Sequence, residues 1–410
     1  MTNNSENKKR IAVLFGSRSC EREVSIISAI QMMRYINPER YKVIPVYIDE
    51  TGSWYTGEAL RNIQNFKPFN PDQKGIQKVF LDLTSGSGAL MSVQKKTGLF
   101  TADKLTMVTR ADVFFLVMHG LNGEDGTLQG LLELANVPYT STSVVGSAVG
   151  MDKIIMKQFF LGAGLPVLPG EWYTRTAFEK DSGRVLDEIA GKLSFPVFVK
   201  PANLGSSIGV SRADNREELK ESLEIAFEYD RRVLVEKGLD KPIELNCSVV
   251  GYDDETEASP IEMPLTSDEF LDFSEKYLSN GGSKGMASLH RVLPAPIEDE
   301  LRDQIQEMSC RIFRMMDCKG VVRIDYMFDR NSGELYITEI NTIPGSLAYY
   351  LWENKGLSYE KLIDRMIRYA ETAHEDKNRS NYAFTSDILR GVIFGAKGAK
   401  GNKLSGGKKF

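Results

Sequence analysis

The chain has 410 residues, 42% hydrophobic and 26% charged, with a formal net charge of −5. That length allows two or three domains with substantial cores, and the mild acidity gives no basic footprint for nucleic acid. No apolar run reaches the length of a bilayer span, and the polar start "MTNNSENKKR" lacks the apolar stretch of a secretory signal. The expectation is a cytoplasmic protein that binds neither nucleic acid nor membrane. Cys20, Cys247, Cys310 and Cys318 show no C-x-x-C or zinc spacing, which suits reduced thiols.

"RIAVLFG" (Arg10–Gly16) predicts a buried parallel strand. "EVSIISAIQMMRYI" carries Ile26, Ile30 and Met33 at helical spacing. "YKVIPVYID" and "ADVFFLVMHG" (Ala111–Gly120) predict two further strands, so the first part of the chain is an open α/β sheet with function at the carboxyl ends of strands. The stretch 51–110 predicts an irregular excursion. A second unit begins near "GMDKIIMKQFFLGAGLPVLPG", whose helix carries Ile154, Phe159 and Leu161. "FPVFVKPANLGSSIGV" predicts strand, loop and strand, and "RRVLVEKGL" and "ELNCSVVGY" are two more β-rich segments. "GVVRIDYMFDRNSGELYITEINT" predicts a hairpin turning at "RNSG". An amphipathic helix, "YEKLIDRMIRYAETA", comes last. The Gly/Lys-rich end has the composition of a disordered tail, or of a weak contact for an anionic surface.

Several clusters bear chemistry. In "VKPANLGSSIGV", Lys200, the hydroxyls of Ser206 and Ser207 and the loop amides could cover phosphates, although it is no Walker loop and a Gly/Ser hairpin without ligand has the same pattern. Lys153 in "GMDK" would be a second phosphate cation. "VEKGLDKPIELN" offers Glu236, Lys237 and Glu244 to a nucleoside, or is a solvated charged turn. Asp325 on one strand of the hairpin and Glu339 with Asn341 on the other can share a face, since i and i+2 point the same way. Hard oxygens of this kind suit Mg²⁺, and Arg323 on the same face can stabilise developing charge; a structural polar cluster is the alternative. "MHGLNGEDGTLQG" gathers His119, Glu124 and Asp125 among glycines, where a turn before a capped helix would account for only part of the polarity. "SCEREVS" places Glu21 and Glu23 at the mouth of the first strand, and one of them could simply complement a helix dipole.

In order, "SCEREVS", "HGLNGEDGTLQG", "GMDK", "VKPANLGSSIGV", "VEKGL…IE", "DFSEKYLS", "RIDYMF" and "EINTIPG" resemble the D-alanine–D-alanine ligases of the ATP-grasp superfamily, from roughly residue 10 to 375. The resemblance implies an ATP-grasp fold preceded by an open α/β domain. Residues 1–150 would be the N-terminal substrate domain, 151–240 the central lid domain, 241–378 the C-terminal domain with metal ligands and a mobile loop, and 379–410 a basic tail. It implies ATP and Mg²⁺ (or Mn²⁺) as cofactors, two D-alanines as substrates, an acyl-phosphate intermediate, a role in peptidoglycan precursor synthesis and a homodimer. Glu23 falls on the glutamate that receives the first substrate's ammonium, with Ser206 and Tyr277 hydrogen-bonded to it. Lys153, Lys200 and the lid lysine Lys276 fall on phosphate contacts, and Glu236, Leu239 and Glu244 on adenine and ribose contacts. Arg323 and the Gly345 N–H are oxyanion stabilisers, Asp325, Glu339 and Asn341 metal ligands, and His119 with Glu124 lies near the first substrate.

Two departures stand out. Ser17 replaces the second of two adjacent glycines, and Tyr350–Leu351 stand where the family has Ser-Leu to hold the acceptor's carboxylate. The large ring would reshape that pocket. Three readings follow: a D-Ala–D-Ala ligase, the same chemistry with an acceptor such as D-serine, or a nucleotide-binding relative without catalysis. By the same resemblance, Glu275–Lys276–Tyr277, a pattern that relatives making D-alanyl-D-lactate lack, implies an amine over a hydroxy-acid acceptor.

Overall fold

The computed structural model describes residues 8–94, 102–265 and 291–381. Lys276, Tyr277 and the segment 382–410 lie outside the described residues, and with them the expectations for the lid and most of the tail. The first seven strands are β1 (Lys9–Gly16), β2 (Tyr41–Ile48), β3 (Trp54–Thr56), β4 (Gln77–Leu81), β5 (Ala89–Gln94), β6 (Lys104–Arg110) and β7 (Val113–Leu116), with helix α1 (Arg22–Met33) after β1. They make one sheet in the order β6-β5-β4-β3-β2-β1-β7. β1 runs parallel to both β2 and β7, and Ile11 to Phe15 are fully buried, as expected of a strand covered on both faces.

Among the described residues of 51–110, β3 to β6 extend the sheet antiparallel where an irregular excursion was expected. β3 has only three residues, and β6 leaves Leu105 and Met107 more than half exposed, so these strands lack the apolar runs of central ones. The strand expected over 111–120 ends at Leu116, which leaves His119 and Gly120 in the following loop.

Helices α2 (Thr127–Leu134), α3 (Val144–Met151) and α4 (Lys153–Gly162) lead to a second sheet. It consists of β8 (Gly170–Thr174), β9 (Val197–Pro201), β10 (Ser211–Ala213) and β11 (Arg232–Lys237) in the order β10-β9-β11-β8, with α5 (Arg175–Lys180), α6 (Ser182–Lys192) and α7 (Arg216–Tyr229) interspersed. Val185, Ile189, Leu219 and Leu223 close a separate core with Val197 and Val199. On α4 the buried residues are Ile154, Met156, Lys157 and Phe160, while Leu161 is 52% exposed. Lys157 thus lies on the face that packs inward.

The third sheet, β13-β12-β16-β17, uses β12 (Ile243–Tyr252), β13 (Glu255–Ala258), β16 (Lys319–Asp329) and β17 (Glu334–Asn341). A two-stranded ribbon, β14 (Met263–Pro264) with β15 (Arg291–Val292), stands beside it. Helix α8 (Asp299–Met315) covers the sheet with Ile305, Ile312 and Phe313, and Phe160 of α4 shares that core. The expected hairpin turn at Arg330–Gly333 is present, with Gly333 at φ 73° and its N–H donating to the Asp329 carbonyl (2.8 Å).

Helices α9 (Tyr349–Asn354) and α10 (Tyr359–Arg379) end the described chain. Trp352 is fully buried and donates from Nε1 to the Ser248 hydroxyl (3.0 Å), as a buried indole requires. Leu351, Trp352, Leu362 and Met366 belong to the same core as β1 and α1. The chain divides into two compact units, Met1–His374 and Glu375–Phe410. Among the described residues no helix is long and apolar enough to cross a membrane.

Candidate active site

The hairpin register carries the expected alternation. Asp325 pairs with Glu339 and Arg323 with Asn341, while on the other side of β16 Asn246 pairs with Asp325 and Ser248 with Arg323. Directly opposed residues project from the same face, so Asn246, Asp325 and Glu339 form one row and Ser248, Arg323 and Asn341 the next. A bulge after Asp325 leaves Thr338 unpaired in the ladder, and its hydroxyl donates to the Asp325 carbonyl (2.9 Å). Arg323 donates to both Asp325 oxygens (2.6 Å each), and Asn341 Nδ2 donates to Oδ2 (3.0 Å). Burial works against the Arg323 charge, but Asp325 outweighs it and raises the guanidinium pKa further.

Lys153, the first residue of α4, joins this face to the Gly/Ser loop. Its Nζ donates to the Leu204 carbonyl (2.7 Å) and lies 3.4 Å from Glu339 Oε2. Asp152 caps α4 by accepting from the N–H groups of Ile154 and Ile155 (3.1 Å each), which fixes where Lys153 emerges. In the same loop Ser206 and Ser207 have left-handed backbones, with φ of 52° and 58°; Ser207 is exposed, and the Ser206 hydroxyl donates to Glu21 Oε1.

The geometry sets Glu21, and not Glu23, against Ser206. Glu23 lies in the first turn of α1 with its side chain exposed, where a carboxylate complements the helix dipole. Glu21, at the N-cap position, is buried and is the acid that meets Ser206. Two glycines leave room for it: a Cβ on Gly205 would fall 2.8 Å from Glu21 Oε2, and one on Gly120 only 2.5 Å from it.

His119 and Glu124 tie the adjoining loop to "EINTIPG". Glu124 accepts from the N–H groups of Gly120 (2.9 Å) and Ile343 (2.8 Å). His119 donates from Nδ1 to the Ile343 carbonyl (3.0 Å), which can only accept, and its Nε2 faces the Ser28 hydroxyl (3.3 Å). Burial holds the imidazole down at about 4 and therefore neutral. Burial also pushes the Glu124 carboxyl up to about 8, helped by the Glu21 carboxylate and opposed by the two backbone N–H groups.

Glu236 on β11 is buried between two ammonium groups, Lys157 of α4 and Lys200 of β9, the latter at 2.5 Å. Lys157 also donates to the Leu168 carbonyl (2.6 Å). Burial alone would raise the Glu236 carboxyl, but Lys200 and Lys157 hold it down at about 2. Burial likewise opposes the Lys200 charge, yet Glu236, Glu339 and Glu244 together raise its pKa. Lys157 was not singled out from the sequence, although a lysine three residues from both Ile154 and Phe160 interrupts the apolar stripe and marks a buried cation. Lys237 and Glu244 are exposed and Leu239 half-buried. At the end of β11, the Lys237 N–H donates to the Pro169 carbonyl and the Gly238 N–H to the Pro196 carbonyl (2.9 and 2.8 Å).

Removing this anion leaves two buried lysines facing one another. Glu236→Gln is expected to lower folding stability by about 3–5 kcal/mol, the usual cost of breaking a buried ion pair. The carboxyl is depressed from 4.5 to about 2, so its contribution is complete above about pH 4.5 and is lost as pH falls toward 2. Thermal unfolding against pH should therefore show wild type losing its advantage over the variant in that acid window. An equal melting temperature at pH 7 would remove Glu236 from the stabilising set.

Gly345 opens a 3₁₀ turn, Gly345–Ala348, in which Ser346, Leu347 and Ala348 all have positive φ (51°, 55° and 49°). Left-handed backbone at a non-glycine residue costs roughly 1–2 kcal/mol, and this run delivers the chain into α9. There Tyr350 is 8% exposed, and its hydroxyl donates to Glu262 Oε2 (3.2 Å). Arg291 lies with Cζ 3.9 Å over the Tyr350 ring and NH1 2.8 Å from Glu262 Oε1. Neither Glu262 nor Arg291 was found from the sequence; they are 29 residues apart (291 − 262) and belong to no motif.

No group of three or more His, Cys, Asp and Glu suited to a metal occurs among the described residues. Asp325, Glu339 and Asn341 instead offer two carboxylates and an amide, all hard oxygen donors. Each carboxylate already faces a cation, Arg323 or Lys153, so this face stabilises positive charge. That donor chemistry fits Mg²⁺.

Two family models match the chain: "D-ala D-ala ligase N-terminus" over residues 10–142 and "D-ala D-ala ligase C-terminus" over residues 159–368. A D-alanine--D-alanine ligase from Thermoanaerobacter sp. (strain X514) is 36% identical over 376 residues, covering 91% of this chain and 99% of the relative. Among solved structures, the D-alanine-D-alanine ligase from Coxiella burnetii aligns at 26% identity with a TM-score of 0.73, covering 91% of this chain and 97% of its own. The VanG D-Ala:D-Ser ligase from Enterococcus faecalis aligns at 31% identity with the same TM-score, covering 88% and 99%.

Proposed function

Because the chain belongs to the D-alanine–D-alanine ligase family, we propose that its site joins two D-alanine molecules in two steps, through an acyl phosphate made at the expense of ATP. The chain is an ATP-dependent ligase of the ATP-grasp fold, and its product enters cell-wall synthesis. The observation that carries the site assignment is the Lys153 ammonium. It bridges Leu204 of the Gly/Ser loop and Glu339 of the metal row, while that loop's Ser206 meets Glu21. Four distant motifs thereby converge on one place.

In this reading Glu21, oriented by Ser206, receives the ammonium of the first D-alanine and aims its carboxylate at the γ-phosphate. Lys153 and Lys200 move from their protein partners to the phosphates. Glu236, still held by Lys157, faces the adenine, with the backbone beyond Lys237, Leu239 and Glu244 completing the nucleoside contacts. Asp325, Glu339 and Asn341 would hold Mg²⁺, which neutralises phosphate charge when bound. The carboxylate oxygen of the first D-alanine bonds to the γ-phosphorus and ADP departs. The amine of the second D-alanine then attacks the acyl carbon, its surplus proton is lost, and phosphate leaves with the transferred oxygen. Arg323 and the Gly345 N–H face the tetrahedral oxyanion, where fixed donors act most strongly. Exclusion of water protects the acyl phosphate from hydrolysis.

We extend the proposal to a cytoplasmic homodimer, to be tested by light scattering of the purified chain. Phosphate release from ATP should depend on D-alanine and not on L-alanine. D-Alanine-independent release, or none with any small D-amino acid, would overturn the catalytic reading. Tyr350 occupies the acceptor position in this proposal. Tyr350→Ser should change the relative kcat/KM among D-alanine, D-serine and larger acceptors by about tenfold, a difference of about 1.4 kcal/mol, with KM for ATP unchanged. An unaltered acceptor profile would remove Tyr350 from the pocket.

A further inference from the structure

The row of functional side chains on the third sheet has a fourth member. Glu262 forms an isolated antiparallel bridge with Asn246, and the two exchange backbone hydrogen bonds of 2.9 Å in both directions. Glu262, Asn246, Asp325 and Glu339 are therefore consecutive across the strands, and Asn246 Nδ2 donates to Glu262 Oε2 (3.3 Å), which places both side chains on the same face. The Glu262 carboxylate is 4% exposed. Arg291 neutralises it at Oε1, Tyr350 donates to Oε2, and the Arg291 guanidinium lies flat over the Tyr350 ring in a cation–π contact. The Tyr350 hydroxyl and Glu262 also lie within electrostatic reach of Arg323, the candidate oxyanion residue. The cluster is thus continuous with the metal row on one side and with the residue at the acceptor position on the other.

We propose that Glu262 and Arg291 are specificity-determining residues for the second amino acid: with Tyr350 they form a charge-balanced wall of the acceptor pocket that admits a small uncharged side chain and rejects acidic and basic ones. This rests on the ligase reading above. A buried charge is tolerated only beside its opposite. Glu262 and Arg291 already compensate one another, so a carboxylate or ammonium arriving on the acceptor's side chain would be buried without a counter-charge. Rejection here comes from what the wall lacks as much as from what it offers. Removing one partner exposes the other, and the direction of the change in selectivity follows from the sign of the charge that remains.

The test uses the full chain with ATP, Mg²⁺, D-alanine as donor and an equimolar pool of D-alanine, D-serine, D-aspartate and D-lysine, with dipeptides quantified by mass spectrometry. Wild type should yield D-alanyl-D-alanine over the acidic and basic products. Glu262→Gln should raise the D-alanyl-D-aspartate to D-alanyl-D-alanine ratio by at least about tenfold. Arg291→Gln should raise the D-alanyl-D-lysine ratio by a similar factor, and the Glu262→Gln/Arg291→Gln double variant should return both ratios to within about threefold of wild type. Loss of packing alone would loosen selectivity without regard to sign. Unchanged ratios in the single variants, or both variants drifting the same way, would therefore overturn the proposal. If Glu262→Gln does not fold, Arg291→Gln and the double variant decide it by the same criteria. Failure of wild type to form any dipeptide would instead overturn the ligase reading on which the proposal stands.

Discussion

Glu21→Gln is expected to lower kcat/KM for the first D-alanine by about 30- to 4000-fold, whereas Glu23→Gln should stay within about twofold of wild type. The first range corresponds to the roughly 2–5 kcal/mol cost of removing one partner of a buried, hydrogen-bonded charge pair. Glu21 is buried, accepts from Ser206 and is flanked by Gly120 and Gly205, so a substrate ammonium bound there would have its main counter-charge in this carboxylate. Glu23 is exposed in the first turn of α1, where a change of charge seldom moves more than about 0.5 kcal/mol. Steady-state kinetics with D-alanine varied at saturating ATP separates the two. Loss of activity in Glu23→Gln with Glu21→Gln unaffected would restore the assignment made from the sequence.

The second large effect is at Asp325, Glu339 and Asn341. Glu339→Gln should reduce kcat on the order of a thousandfold, equivalent to about 4 kcal/mol of lost electrostatic stabilisation. Glu339 opposes Asp325 across the hairpin and pairs with Lys153, so the amide would weaken the Mg²⁺ donor set and unbalance the phosphate lysine together. The Mg²⁺ concentration giving half-maximal rate should rise in the variant, and a melting temperature close to wild type would show that the fold is intact. Wild-type turnover at ordinary Mg²⁺ would contradict the metal assignment.

What could be read from the sequence was what local periodicity controls. The "RNSG" turn and the alternation on either side of it put Asp325, Glu339 and Asn341 on one face, because register and face follow directly from turn position and a period of two. Lys157 is equally legible, since a lysine at helical spacing among apolar residues is itself a signal. The choice between Glu21 and Glu23 was not local. It depends on Ser206, 185 positions away, and on glycines from two other loops leaving room for one carboxylate. The strands of 51–110 are not legible in the same way, because their partly exposed alternation resembles polar loop composition. Glu262 and Arg291 carry no pattern at all; only the bridge to Asn246 and the ring of Tyr350 bring them together.

"SLAYYLWE" divides along the same line. Trp352 and Leu351 are core residues shared with the first sheet, which explains an apolar aromatic run without any ligand. Tyr350, from the same short helix and the same core, also faces the buried Glu262 and Arg291. One turn of helix therefore serves core packing on one side and the Glu262–Arg291 pair on the other.

The central claim, that the carboxylate of one D-alanine is activated as an acyl phosphate and captured by the amine of a second, is tested most directly with D-alanine labelled with oxygen-18 in its carboxylate. The purified chain with ATP and Mg²⁺ should give D-alanyl-D-alanine, ADP and phosphate, and mass spectrometry should find one labelled oxygen in the phosphate for each dipeptide formed. Unlabelled phosphate, release of AMP and pyrophosphate, or labelled phosphate without dipeptide would contradict it.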